Sequence, residues 1–247
     1  EFNSFINISL LHRNRIYRLS LHLDLKQRIE WEAPFEVIET CLAKGQNEND
    51  CQNYIMAIHE HKDKLFICGS YAYSPKCTWR SIDSLGLIKE EKSVGRSPFN
   101  PHSNITTLVT SDGKMFVGST IDFSGSDSVI LRTDLSSENT RSLRTKQYND
   151  IELYDPQFVG SFEHSEYVYF VFREVSIEMA SFGGTKAIYS RIARVCKNDA
   201  GNLSILKRLK AIITNSLILF ARSSLTGGEH ILKENWTSFY KARLVSN

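Results

Sequence analysis

Lys64-Leu65-Phe66-Ile67-Cys68 is a short apolar run with an aromatic at its centre, and the chain repeats it. Arg15-Ile16-Tyr17-Arg18-Leu19 precedes it; Lys114-Met115-Phe116-Val117-Gly118 and Tyr167-Val168-Tyr169-Phe170-Val171 follow. The central residues Tyr17, Phe66, Phe116 and Tyr169 therefore recur about every fifty residues. A second apolar run comes roughly ten residues before each of them: Ile6 to Leu11, Tyr54 to Ile58, Ile105 to Val109, and Phe158 to Phe162. Turn formers such as Lys62-Asp63-Lys64 and Ser111-Asp112-Gly113 join the two runs, so each pair predicts a β-hairpin, with turns at Asp63 and at Asp112-Gly113. A hairpin recurring at this period, with sequence for about four strands each time, predicts an all-β fold of the β-propeller type.

Composition suits such sheets. The chain is 41% hydrophobic, with 14 Phe and 10 Tyr among its 247 residues, which supplies apolar and β-favouring material for a packed interior. Its 30 Lys and Arg against 28 Asp and Glu leave a net charge of +2, too balanced for a general binder of nucleic acid or acidic membranes. No stretch approaches the roughly eighteen apolar residues of a membrane-spanning helix; the best, residues 211–220, is broken by Thr214, Asn215 and Ser216. With neither an initiator Met nor a signal peptide, the chain is expected to begin inside a larger protein.

Four of the five cysteines lie between Cys41 and Cys77, in two close pairs. Cys68 ends one strand and Cys77 opens the next segment after a Pro-containing loop, so a bridge across that hairpin is geometrically reasonable. Closing so short a loop stabilises by about 2–3 kcal/mol. Spacing alone leaves the connectivity open, and reduced core thiols are the alternative. Cys196 has no obvious partner. Asn-X-Ser/Thr sequons at Asn7, Asn104, Asn202 and Asn235 are compatible with secretion, and Asn104 is the candidate glycosylation site.

No catalytic motif is visible: no Gly-X-Ser-X-Gly elbow, phosphate loop, dinucleotide fingerprint or Cys-X-X-Cys. His59-Glu60-His61 would put two imidazoles on one face of a strand end, but no third metal ligand stands at plausible spacing, which reads as solvated loop histidines. Asp122 and Asp127 flank Ser124-Gly125 and predict a turn with Asx-type hydrogen bonds. Arg173-Glu174 reads as an ion pair or cap at the end of the most hydrophobic strand. The expectation is no enzyme, no catalytic residue, no metal or cofactor, and no small-molecule substrate.

Longer motifs go further. Lys44-Gly45-Gln46 with Asp50-Cys51-Gln52-Asn53-Tyr54-Ile55, and Ile67-Cys68-Gly69-Ser70-Tyr71-Ala72-Tyr73-Ser74-Pro75-Lys76-Cys77, resemble the early signature of the semaphorin family. Ser97-Pro98-Phe99-Asn100-Pro101, Gly118 to Gly125, Asp155-Pro156-Gln157-Phe158-Val159 and Val168 to Glu174 continue the resemblance in order. So do Tyr189 to Asp199, which ends in Cys196-Lys197-Asn198-Asp199, and Trp236-Thr237-Ser238-Phe239-Tyr240-Lys241-Ala242-Arg243-Leu244. Plexins and Met-type receptors share the sema propeller but are not similar to the chain through those last two runs.

The resemblance implies a partial seven-bladed propeller, residues 1–247 being the N-terminal part of a sema domain with about four repeats present. It implies bridges Cys41–Cys51 and Cys68–Cys77, and a free thiol at Cys196, whose family partner lies beyond this chain's end. The chain departs from the family at Leu244-Val245-Ser246, where a cysteine is usual, and at Ser97, a cysteine in many members. Residues 200–226 fit neither the repeat nor the family; they are expected to be translated intron sequence or a gene-model error, with a lineage-specific loop as the alternative. The implied function is an extracellular signalling ligand, secreted or the ectodomain of a membrane-anchored protein. It would bind a plexin receptor in axon guidance and cell migration, and the full-length protein would be a homodimer. Asp155, Pro156, Gln157 and Phe158 are the plexin-contact candidates; their alternative reading is a turn entering a strand, with Phe158 facing the core. The competing function is a sema-domain receptor fragment or interaction scaffold without guidance activity. Because closure protects a propeller's edges, the chain alone is expected to be poorly soluble and to bind plexin weakly.

Overall fold

The computed structural model describes residues 13–20, 22–93, 95–135, 142–180, 187–202 and 234–245. Their regular elements are nearly all strands, gathered in two compact units: residues 1–107 with 119–128, and residues 108–118 with 129–247. Each of the four repeating aromatics lies in a strand: Tyr17 in β1 (Arg15–Leu19), Phe66 in β4 (Lys64–Gly69), Phe116 in β8 (Lys114–Thr120) and Tyr169 in β12 (Tyr167–Val175).

In the first unit, β3 (Ile55–His61), β4, β5 (Lys76–Ser81) and β6 (Leu87–Lys92) form an antiparallel meander in sequence order. The inner strand β4 is buried on both faces: Leu65 and Ile67 join one apolar cluster with Ile55, Trp31 and Tyr71, while Phe66 faces Trp79 at 4.7 Å between ring centres. A strand covered on both faces needs a continuous apolar run rather than strict alternation, which is why this segment reads as it does. The β3–β4 turn places Lys62 and Asp63 at φ 47° and 57°, the left-handed pair that matches the twist of a two-residue hairpin.

Two further elements complete this unit. A hairpin of β1 and β2 (Leu25–Glu30) stands as its own two-stranded sheet. In the first repeat the hairpin partner therefore follows Tyr17; the earlier run at residues 6–11 lies outside the described residues. Strand periodicity also gave no sign of the helix α1 (Phe35–Ala43), whose first turn carries Glu36 and whose buried face presents Cys41. Cys41–Cys51 ties that helix to the loop before β3, and Cys68–Cys77 crosslinks the directly paired positions of β4 and β5.

The second unit holds two sheets. One runs β7 (Thr106–Val109), β8, β9 (Ser128–Asp134), β10 (Leu143–Arg144), with β14 (Glu234–Asn235) added parallel to β10. The other runs β11 (Gln157–His164), β12, β13 (Ile188–Cys196), β15 (Tyr240–Arg243), all antiparallel. Between them lies a core of Phe116, Ile130, Leu143, Phe158, Phe170, Phe172, Val195 and Trp236. Along β12 the alternate residues Val168, Phe170, Phe172 and Glu174 are buried, as the period of two requires. Gly118 is needed where it stands: a Cβ there would come within 2.6 Å of the Phe158 ring. The segment that fits no repeat, residues 200–226, lies outside the described residues except for its first three.

Candidate functional site

The residues before β11 form a bend that presents two side chains and hides two. Asp155 takes a left-handed backbone (φ 49°), Pro156 is buried, and Gln157 opens the strand by pairing with Arg173. Gln157 Nε2 donates to Asp155 Oδ1 at 3.3 Å, and both residues are exposed. Phe158 is 5% exposed, its ring 5.5 Å from Phe172 and 6.5 Å from Phe170. Of the four contact candidates, only Asp155 and Gln157 can meet a partner with their side chains; Pro156 and Phe158 are core residues that fix the bend. Tyr148 and Ile151 in the preceding turns and Val159 on β11 are exposed as well.

A buried carboxylate holds this bend from behind. Glu174 is 2% exposed, and its Oε2 accepts the Tyr154 N–H at 3.2 Å. Its Oε1 lies 2.6 Å from Lys241 Nζ and 3.0 Å from Arg191 Nε. The neighbour expected to pair with it, Arg173, points to solvent instead, because adjacent strand residues face opposite ways. Arg191 also donates through Nη2 to both oxygens of Glu178 at 2.7 and 2.8 Å, and these bonds, with help from the Ser176 hydroxyl, pull the Glu178 carboxyl down to about 2.

The two motifs that end the resemblance meet at Asp199. Its Oδ1 accepts the Gly201 N–H and the Thr237 hydroxyl, each at 2.8 Å. Its Oδ2 accepts the Thr237 and Ser238 N–H groups at 2.8 Å and the Ser238 hydroxyl at 2.6 Å. Burial pushes this carboxyl up, but the bonds from Ser238, Gly201 and Thr237 outweigh it and leave it below its ordinary value. Next to this clip, Asn235 N–H donates to Asn202 Oδ1, Trp236 Nε1 to the Ile130 carbonyl, and Cys196 N–H to Ser238 Oγ. These motifs are thus a structural fastening that brings β15 beside β13.

No family model matches the chain. Semaphorin 5c of Drosophila melanogaster is 43% identical to it over 94% of this chain and 19% of the relative. The solved extracellular domains 1–2 of Drosophila Semaphorin 1b match at 34% identity with a TM-score of 0.73, over 95% of this chain and 39% of that one. The chain belongs to the semaphorin family. A chain of the solved complex of Drosophila Plexin A with Semaphorin 1b matches at 34% identity and TM-score 0.72, over 94% of this chain and 38% of that one. This semaphorin chain thus spans about a fifth of the curated relative it matches and well under half of the solved ones. Its sheets are blades of a sema-type β-propeller.

Elsewhere the semaphorin chain shows structure where the sequence suggested solvent. His59 and His61 are not loop residues: both lie in β3, and His59 Nε2 is 2.8 Å from Thr107 Oγ1. Burial lowers the His59 imidazole to about 4, so it is neutral at physiological pH. Asp122 accepts the N–H groups of Ser126 and Asp127 and the hydroxyls of Ser124 and Ser126, an Asx-type turn that saturates the carboxylate. Among the described residues no group of three or more His, Cys, Asp or Glu could hold a metal ion. Cys196 is a half-buried free thiol among the described residues.

Proposed function

We propose that this chain is part of an extracellular semaphorin whose sema propeller binds a plexin-type receptor and directs axon guidance and cell migration. The observation that carries the reading is the match to the Semaphorin 1b complex with Plexin A: 34% identity over 94% of this chain. The two disulfides support an oxidising, extracytoplasmic setting. The parent is secreted or anchored in the membrane, and acts as a homodimer. Within it, Asp155 and Gln157 contribute to the receptor-facing edge, and the Glu174 ion cluster keeps their bend in place. A small polar contact of this kind supplies orientation and specificity around more apolar anchors, a role that the exposed Tyr148 and Ile151 can fill.

The test uses the complete sema domain of the parent protein, labelled and applied to cells that display a plexin from the same organism. Saturable binding, with collapse of plexin-bearing growth cones, supports the reading. Equal binding to cells with and without plexin refutes it.

A further inference from the structure

Four sequons stand in the sequence, but the fold treats them differently, and the difference singles out one modification site. Asn104 is exposed, in the loop that leads into β7. Two residues earlier, His102 Nε2 lies 2.7 Å from Asp50 Oδ1, and His102 N–H donates to Asn100 Oδ1 at 2.8 Å. The loop is therefore anchored before the sequon, and β7 anchors it after Thr106, so Asn104 is held at the surface. An N-linked glycan attached there starts from the protein surface.

Asn235 is half-buried and sits in a strand seam. Its Nδ2 donates to the Arg144 carbonyl at 3.3 Å, in the seam where β14 pairs with β10. The middle residue of its sequon, Trp236, is 8% exposed, and the third, Thr237, gives its hydroxyl to Asp199. A sugar on Asn235 would have to occupy that seam. The sequons of Asn7 and Asn202 both reach beyond the described residues.

We infer that the folded protein carries an N-linked oligosaccharide on Asn104 and none on Asn235. The bridges Cys41–Cys51 and Cys68–Cys77 belong to the oxidising compartments in which such transfer occurs. In the transfer, the Asn104 amide nitrogen attacks the anomeric carbon of a lipid-diphosphate-linked oligosaccharide. The new nitrogen–carbon bond forms as the carbon–oxygen bond to the diphosphate breaks with its electron pair, and the amide proton passes to a base of the transferase. The glycan then covers the surface around residues 102–104, which a protein partner cannot also use.

The experiment expresses the complete sema domain behind a cleavable leader in animal cells. It compares the parent with Asn104→Gln, Asn235→Gln and the sequon-preserving Thr106→Ser, with and without peptide-N-glycosidase. Loss of a glycan can retain a protein in the cell, so both medium and lysate are read. The expected result is that Asn104→Gln removes one glycosidase-sensitive step in gel mobility, while Asn235→Gln and Thr106→Ser leave the parent's pattern. Mass mapping should find glycosidase-converted aspartate at position 104 and unmodified asparagine at 235. An unchanged step pattern in Asn104→Gln, or a glycopeptide at Asn235, overturns the inference.

Discussion

Replacing Asp199 with Ala should be among the most damaging single changes in this half of the molecule. The carboxylate accepts five hydrogen bonds, three from the backbone N–H groups of Gly201, Thr237 and Ser238 and two from the hydroxyls of Thr237 and Ser238. The residue is 7% exposed, so water cannot replace all five. Hydrogen bonds to a charged group are worth about 1.5–3 kcal/mol each, and a stranded buried N–H costs about 1–3 kcal/mol. The bonds share one acceptor and do not add, so a loss of about 3–5 kcal/mol is expected. That is a large part of the roughly 5–15 kcal/mol that holds a typical domain together. Asp199→Asn should cost less, because one oxygen remains, but its NH2 group faces donors. Urea unfolding of the complete sema domain measures the total, and hydrogen exchange localises it to residues 234–243. The pH dependence has a definite sign: the folded carboxyl titrates below its unfolded value, so its contribution is present above about pH 4 and is lost as the pH falls further. Unfolding of Asp199→Ala within about 0.5 kcal/mol of the parent, with β15 equally protected, would show that this carboxylate does not fasten β15.

His59, lowered to about 4 by burial, should make the fold less stable as the pH drops from about 6.5 toward 4, by on the order of 2–3 kcal/mol; His59→Gln should flatten that part of the pH–stability curve. Gly118→Ala drives a methyl to within 2.6 Å of the Phe158 ring and should cost about 1–3 kcal/mol, read as a lower Tm. Cys68→Ser with Cys77→Ser should cost about 2–3 kcal/mol, and non-reducing peptide mapping of the parent should show Cys41 joined to Cys51 and Cys68 to Cys77. This chain expressed alone, with Leu87, Ile88, Tyr240 and Val245 exposed, should self-associate in sedimentation experiments and bind plexin more weakly than the complete sema domain.

The hairpins were legible because their information is local. A two-residue turn at Lys62-Asp63 and an apolar run centred on Phe66 lie within a few residues of each other, and the fifty-residue spacing repeated the message. The helix α1 was not, since a single nine-residue element between Pro34 and Lys44 carries no repeat and follows strand-like sequence. The polar partners that the sequence did not reveal share a cause: they are remote in the chain. Glu174 is neutralised by Arg191 and Lys241 across the sheet rather than by adjacent Arg173. His59 finds Thr107 on another strand, and Asp199 finds Ser238 on the far side of a long intervening segment. Asp155 to Phe158 stood out as a motif, but only the pairing of β11 with β12 shows which of those side chains turn outward.

A plexin ligand whose bend before β11 helps form the contact, as proposed above, should lose affinity when that bend is changed. The most direct test is surface plasmon resonance of the complete sema domain against an immobilised plexin ectodomain, beside the double variant Asp155→Lys, Gln157→Lys. Both positions are exposed, and Lys suits the left-handed backbone at 155 only slightly less well than Asp, so the variant should unfold within a few degrees of the parent. The expected result is saturable binding by the parent and at least about a tenfold weaker Kd for the variant, about 1.4 kcal/mol. No saturable binding by the monodisperse parent, or a variant Kd within about twofold of the parent's, would contradict it.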